Sequence, residues 1–143
     1  MVYKVFLDSD VLIDFLLDRK PHSEYSLQLL DYCEKGILES YTSVLCISNI
    51  HYIIRRVVGE RKARKIIIEL TDLVDIIGVS RQDIENALLS DFNDFEDAIQ
   101  HSVVLQNKEI KSIITRNVKD YKNSKVSVIS PDALVKIIND DIA

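Results

Sequence analysis

Three short polar segments hold the residues of this chain whose types and spacing could do chemistry. Near the start, the apolar, β-prone run Val2 to Leu7 stops at Asp8-Ser9-Asp10, and an apolar helical pattern (Val11, Leu12, Phe15, Leu16) begins at once. In open α/β sheets ligands sit just beyond the carboxyl ends of the strands, so a carboxylate there points to where such folds react. Asp and Ser are also good helix N-caps, and the segment alone leaves both roles open. The second segment is Asp94-Phe95-Glu96-Asp97-Ala98-Ile99. Asp94 and Asp97, three apart, share a helix face, while Ala98 and Ile99 turn toward a core. Acids at a helix start also complement its dipole, which is the plain structural role open to Asp94 and Glu96. In the third, a buried strand breaks into Thr115-Arg116-Asn117-Val118-Lys119-Asp120. Carboxylates converging without His or Cys suit a hard cation, Mg²⁺ or Mn²⁺, which takes oxygen ligands. The natural substrate of such a site is a phosphodiester, because the metal activates water and no protein nucleophile is needed.

The elements that must position these residues alternate along the chain. The pattern predicts a strand at 3–7, a short helix to about 17, and a helix from a Ser23 cap to Lys35. That second helix has Leu27, Leu30 and Cys33 on its apolar face and Gly36 as its stop. A strand at 37–42 follows, then helices at 43–58 and 60–73 separated by Gly59, a strand at 74–79 and a helix at 80–89 capped by Ser80. A helix at 94–106, strands at 111–115 and 126–129, and a helix opened by Pro131 and running through Ile138 complete the chain. Strands separated by helices imply a parallel sheet with right-handed crossovers. No GxGxxG or GxxxxGK[ST] occurs, so neither a dinucleotide fold nor a P-loop is supported.

Bulk properties narrow the class. At 143 residues the expectation is one domain spanning the whole chain. Only 3 Gly and 2 Pro argue for long regular elements and short connections. Cys33 and Cys46 lie in apolar surroundings without ligand spacing and read as reduced thiols. No apolar run reaches a membrane-spanning length and no secretory pattern opens the chain, so a cytoplasmic protein without a membrane is expected. The net charge of −5 argues against a large nonspecific nucleic-acid surface. The charge is segregated, however. Arg55, Arg56, Arg61, Lys62, Arg64 and Lys65 crowd one stretch, and a second basic group includes Arg116. These are the candidate phosphate-holding cations beside an acidic pocket, solvated helix faces being the plainer reading of each. His22, His51 and His101 fall on three different helices, and Tyr25, Tyr32, Tyr41 and Tyr52 have apolar-face spacing.

Read in order, Phe6-Leu7-Asp8-Ser9-Asp10-Val11-Leu12-Ile13-Asp14, Ser43-Val44-Leu45-Cys46-Ile47-Ser48-Asn49-Ile50, Asp94-Phe95-Glu96-Asp97-Ala98 and Thr115-Arg116-Asn117 resemble the successive motifs of a PIN domain. The likeness is to the bacterial branch that includes VapC-type toxins. It implies a three-layer α/β/α fold with a central parallel sheet and a Mg²⁺- or Mn²⁺-dependent ribonuclease site, with RNA as substrate. It further implies a homodimer and a small antitoxin protein as partner, for which the apolar helix around Ile50, Ile53, Ile54 and Val57 is a candidate surface. Asp8 matches the family's first acid and Asp97 its third, whereas the second falls on Asn49 and the fourth on Asn117. The catalytic set on this reading is Asp8, Asp94, Asp97 and Asn117. The metal set is Asp8, Asp97, Asp94 and Asp120, and Ser9, Asp10, Asn49, Glu96 and Thr115 line the site.

Two other readings compete. Asn49 and Asn117 favour a catalytically weakened PIN-like module that binds RNA or protein. Asp8-Ser9-Asp10 also resembles the first motif of haloacid dehalogenase-type phosphatases, although the later paired acids of that family are missing after Thr115.

Overall fold

Strand β1 (Tyr3–Leu7) sits at the centre of a five-stranded parallel sheet, with β2 (Leu38–Ser43) on one side and β4 (Ser112–Ile114) on the other. β3 (Val74–Ile77) and β5 (Ser127–Ile129) form the edges, giving the order β3-β2-β1-β4-β5 in this computed structural model, which describes residues 2–143. Parallel strands buried on both faces read as continuous apolar runs. Val5 and Leu7 enter one core and Phe6 enters the other, as the period of two requires.

Helices α1 (Ser9–Leu16), α2 (His22–Glu34), α3 (Val44–Val58), α4 (Glu60–Leu70) and α7 (Pro131–Ile142) cover the Val5/Leu7 face. Helices α5 (Arg81–Leu88) and α6 (Phe95–Gln106) cover the Phe6 face, to which Cys46 of α3 also contributes. This is the expected α/β/α arrangement with a central parallel sheet. Chain order leads from β1 out to β2 and β3, then back across to β4 and β5. The cleft between the carboxyl ends of β1 and β4 is therefore the topological switch point of the sheet.

Several local expectations need correction. Helix α2 begins at His22, and Ser23 lies inside it, buried and donating its hydroxyl to Asp18 at 2.7 Å instead of capping. The apolar face of α2 runs through Leu29, Leu30 and Tyr32, leaving Leu27 exposed, because Ser23 and Ser26 take the buried positions one turn earlier. Tyr25 and Tyr52 are exposed. The strand expected at 74–79 stops at Ile77, and the helix expected at 60–73 stops at Leu70 in a turn. Asp94 is not in α6 but caps it, accepting the Asp97 N–H at 2.9 Å. α7 continues past Ile138 to Ile142, and a 3₁₀ turn at Val118–Tyr121 had no counterpart in the sequence pattern. Cys33 and Cys46 are free thiols.

Gly59 joins α3 to α4 at φ 88°, ψ 162°, a conformation open essentially only to glycine. A Cβ there would meet nothing within 4 Å, so a substitution costs backbone strain alone. Gly59→Ala should lower the unfolding free energy by about 1–3 kcal/mol, read as a shift of the urea midpoint without a change in slope. An unshifted midpoint would mean that the α3–α4 corner relaxes freely.

Candidate active site

Asp8 follows the last residue of β1, and its N–H continues the ladder by donating to the carbonyl of Ile114 at 2.9 Å. The backbone thereby fixes the carboxylate at the β1–β4 switch point. Its Oδ1 accepts the Ser9 N–H at 2.8 Å, so Asp8 does cap α1. Its Oδ2 accepts the hydroxyls of Thr115 at 3.0 Å and Tyr121 at 3.1 Å. The capping role and the site role, alternatives in the sequence, are held by one side chain.

Thr115, the residue after β4, is fully buried. Its Oγ1 lies 3.0 Å from Asp8 and 3.3 Å from Asp10, and it accepts the Asn117 N–H at 3.1 Å. A hydroxyl carries one proton, so it can donate to only one of the two carboxylates at a time. Asp10 is further held by the Arg116 N–H at 3.0 Å, while its Oδ1 is buried with no partner.

These groups open into a cavity of about 140 Å³, with Asp8, Ser9, Asp10 and Asn117 on the strand-end side and Asp94, Glu96, Asp97 and Gln100 on the α6 side. Asp120, on the 3₁₀ turn, completes the wall. No lining residue is basic. The electrostatic result is repulsion. Burial, then Asp10, pushes the Asp8 carboxyl up to about 6 from an ordinary 3.8. Burial, then Asp8 and Asp94, pushes Asp97 up to about 7. Asp10 and Glu96 are raised as well, burial being the first cause for each. Tyr121 is pushed upward by burial and by Asp8 and Asp97, so it stays a hydroxyl donor.

The structure thus brings together Asp8, Ser9, Asp10, Asp94, Glu96, Asp97, Asn117 and Asp120, with Thr115 buried behind them. Asn49, half-buried on α3, is not among the lining residues. Arg55, Arg56, Arg61, Lys62, Arg64 and Lys65 are all exposed on α3 and α4, and none lines the cavity. Arg64 pairs with Glu60 at 2.9 Å, Glu60 also meets His51 at 2.6 Å, and Arg55 and Arg56 stand over the ring of Tyr52. Arg116 turns away from the cavity. Its guanidinium holds the fully buried Asp14 through Nε at 2.5 Å and Nη2 at 3.1 Å.

Sequence reasoning passed over three contributors. Asp14 stands four residues after Asp10, one helical turn away, a spacing that could have flagged it. Gln100 stands three after Asp97 and is buried with Oε1 unpartnered. Tyr121 had no signal, since its ring reaches Asp8 only through tertiary packing 113 positions away.

The donor set fits a hard dication. All the lining acids offer oxygen, and two buried oxygens, Asp10 Oδ1 and Gln100 Oε1, lack partners beside the cavity. Among the described residues no three acidic, His or Cys side chains form a ready-made ligand cage. Mg²⁺ binding commonly needs only one or two carboxylates plus water, so that arrangement suffices.

Residues 4–119 match the PIN domain family. This chain is a PIN domain. It is 26% identical over 134 residues to Ribonuclease VapC1 of Aquifex aeolicus (strain VF5), covering 90% of this chain and 91% of that protein. Solved structures with the PIN fold seen here include a toxin–antitoxin complex from Klebsiella pneumoniae, with TM-score 0.67 and 21% identity over 89% of this chain and 97% of that one. VapBC2 from Rickettsia felis, bound to a DNA fragment from its promoter, gives 0.62 and 13% over 90% and 97%. VapC20 from Mycobacterium tuberculosis, a sarcin-ricin loop cleaving toxin, gives 0.59 and 17% over 76% and 86%. PIN membership displaces the phosphatase reading, and no helix among the described residues is long and apolar enough to cross a membrane.

Two outcomes follow from this geometry. Asp8 and Asp97 have higher proton affinity folded than unfolded. Their stabilising contribution is therefore present below the ordinary value near 3.8 and lost as pH rises through about 6 and 7. Metal-free protein should lose about 1.5 kcal/mol between pH 5 and pH 8 from Asp8 alone, the rest of its contribution being already lost below pH 5, with a further, solvent-screened share from half-exposed Asp97. Denaturant melts at both pH values check this, and Asp8→Asn should flatten the difference. Asp14→Ala should cost about 3 kcal/mol by leaving the Arg116 guanidinium unpartnered. An Asp14→Ala protein as stable as the parent would contradict the pairing.

Proposed function

We propose that this PIN domain is a metal-dependent ribonuclease and the toxin of a toxin–antitoxin pair. The observation that carries the chemistry is the convergence of Asp8, Asp97 and their acidic neighbours, without any cation, at the switch point of the sheet. The relative named Ribonuclease VapC1 supports RNA as substrate, and the solved complexes support a small antitoxin protein as partner.

Asp8 and Asp97 would hold Mg²⁺ or Mn²⁺, with Asp94 and Asp120 on the rim. The chemistry such a dication would supply there is charge neutralisation at phosphoryl oxygens and acidification of a water. Thr115 and Tyr121 orient the Asp8 carboxylate from behind and leave its charge directed into the cavity. Asp94 uses Oδ1 to cap α6, so its exposed second oxygen can take a proton from an attacking water. The exposed cations of α3 and α4 bind phosphates along the RNA at a distance from the acids, where they do not neutralise the site.

Asn117 and Asp120 both line the cavity. Asp120 restores the charge that an amide at Asn117 lacks, which favours an active enzyme over the weakened-module reading.

Asp8→Asn and Asp97→Asn should each lower RNA cleavage by about 100-fold in Mn²⁺ or Mg²⁺, since ligand and ligand-support losses cost on that order. Parent-like rates in both variants would refute the assignment. The Arg61/Lys62/Arg64/Lys65 quadruple alanine variant should bind RNA with a flatter salt dependence, each lost phosphate contact removing about 0.7 from the slope. An unchanged slope removes α4 from the RNA path.

A further inference from the structure

A larger cavity, about 430 Å³, lies next to the acidic one and has a different character. It is lined by Phe92, His101 and Leu105 as well as by Asn86, Asn123 and Lys125. The two cavities share walls on both sides. Along α6, Asp97 and Gln100 face one while Ala98 and His101 face the other. Past β4, Asn117 and Asp120 line the first, and Asn123 and Lys125 the second. Buried Tyr121 contacts one residue of each: it donates its hydroxyl to Asp8 and meets Phe92 edge-on, 5.9 Å between centroids at 80°.

The polar groups of this cavity are oriented. The Nε2 of His101 accepts the backbone N–H of Lys125 at 3.0 Å. A backbone N–H can only donate, so the neutral ring carries its proton on Nδ1. That Nδ1 is not among the buried unpartnered atoms, and among the described residues it has no protein acceptor. Asn123 donates its amide to the Asp91 carbonyl, which leaves its own Oδ1 open. Phe92, tilted 33° against the His101 ring with 4.8 Å between centroids, supplies a half-buried aromatic surface. An aromatic surface, an unpaired ring N–H, an open amide oxygen and a lysine amine are the groups that receive a splayed-out base of single-stranded RNA. The volume admits a purine or a pyrimidine.

We propose that this cavity binds one unstacked nucleobase of the RNA next to the scissile phosphate, against Phe92 with its edge read by His101 and Asn123. The proposal rests on the ribonuclease reading and adds a base preference at one position of the cleavage site.

The test separates the two. Short RNAs carrying 2-aminopurine at successive positions report base stacking without cleavage, and bis(p-nitrophenyl) phosphate reports the acidic site without any base. Parent protein should quench 2-aminopurine at one position and show a base preference there in its cleavage map. Phe92→Ala should lose the quenching, flatten the preference and raise KM for RNA about tenfold, the scale of one lost stack. Its hydrolysis of the aryl diester should fall far less than its cleavage of RNA, and Phe92→Tyr should restore the parent behaviour. Quenching at Phe92 without cleavage of either substrate would defeat the ribonuclease reading and leave the base site standing. Cleavage with neither quenching nor preference altered in Phe92→Ala overturns the base site. So does a dimer in sedimentation that Leu89→Asp, at the exposed rim of this cavity, dissociates, since a second copy then fills it.

Discussion

The hydrogen bonds that Thr115 and Tyr121 make to the Asp8 carboxylate are the constraint on which this structure turns. Asp8 follows β1, Thr115 follows β4, and Tyr121 ends the 3₁₀ turn, so two groups more than a hundred positions away in sequence close on one oxygen of Asp8. A buried carboxylate without partners would cost several kcal/mol or take up a proton. With two hydroxyls and a backbone N–H it can remain an anion at the floor of a cleft. The same contacts set the register of the cleft: Asp10 lies within reach of the Thr115 hydroxyl, and Asp120 rides on the turn that delivers Tyr121.

Charge is partitioned with equal consequence. Arg116 stands between Thr115 and Asn117 of the site, and its guanidinium is committed to buried Asp14, which raises its own proton affinity. The cluster on α3 and α4 is neutralised in part by Glu60 and stands outside the cavity. Within the wall, the acids therefore face each other with nothing basic between them, and Asp8 and Asp97 titrate near neutrality. Two buried oxygens without partners, on Asp10 and Gln100, border the same space. Such a wall is stabilised by a hard cation and disfavoured without one.

Most of this was legible in the sequence because it depends on local pattern. An apolar run ended by Asp8, acids opening a helix at Asp94 and a strand broken at Thr115 specify where a parallel sheet opens, and the structure has all three around the cavity at the carboxyl ends of β1 and β4. The acids of the second segment were placed by helical spacing, although Asp94 caps α6 instead of riding on it. What local pattern does not contain is the direction of a long side chain. Arg116 sits beside the site in sequence yet points to Asp14, and Tyr121 reaches it from a turn with no periodic signature. Ser23 failed as a predicted cap for the same reason: Asp18, at φ 49°, turns the chain so that the hydroxyl finds a side-chain acceptor inside the protein.

The central claim is that these carboxylates form a cation site, and the direct measurement is an anomalous difference map from a crystal of the protein soaked in Mn²⁺. The account predicts one peak in the acidic cavity, at about 2.0–2.2 Å from oxygens of Asp8 and Asp97 and with water completing the shell. A map with no peak there, or with manganese only at surface acids remote from Asp8, would contradict it.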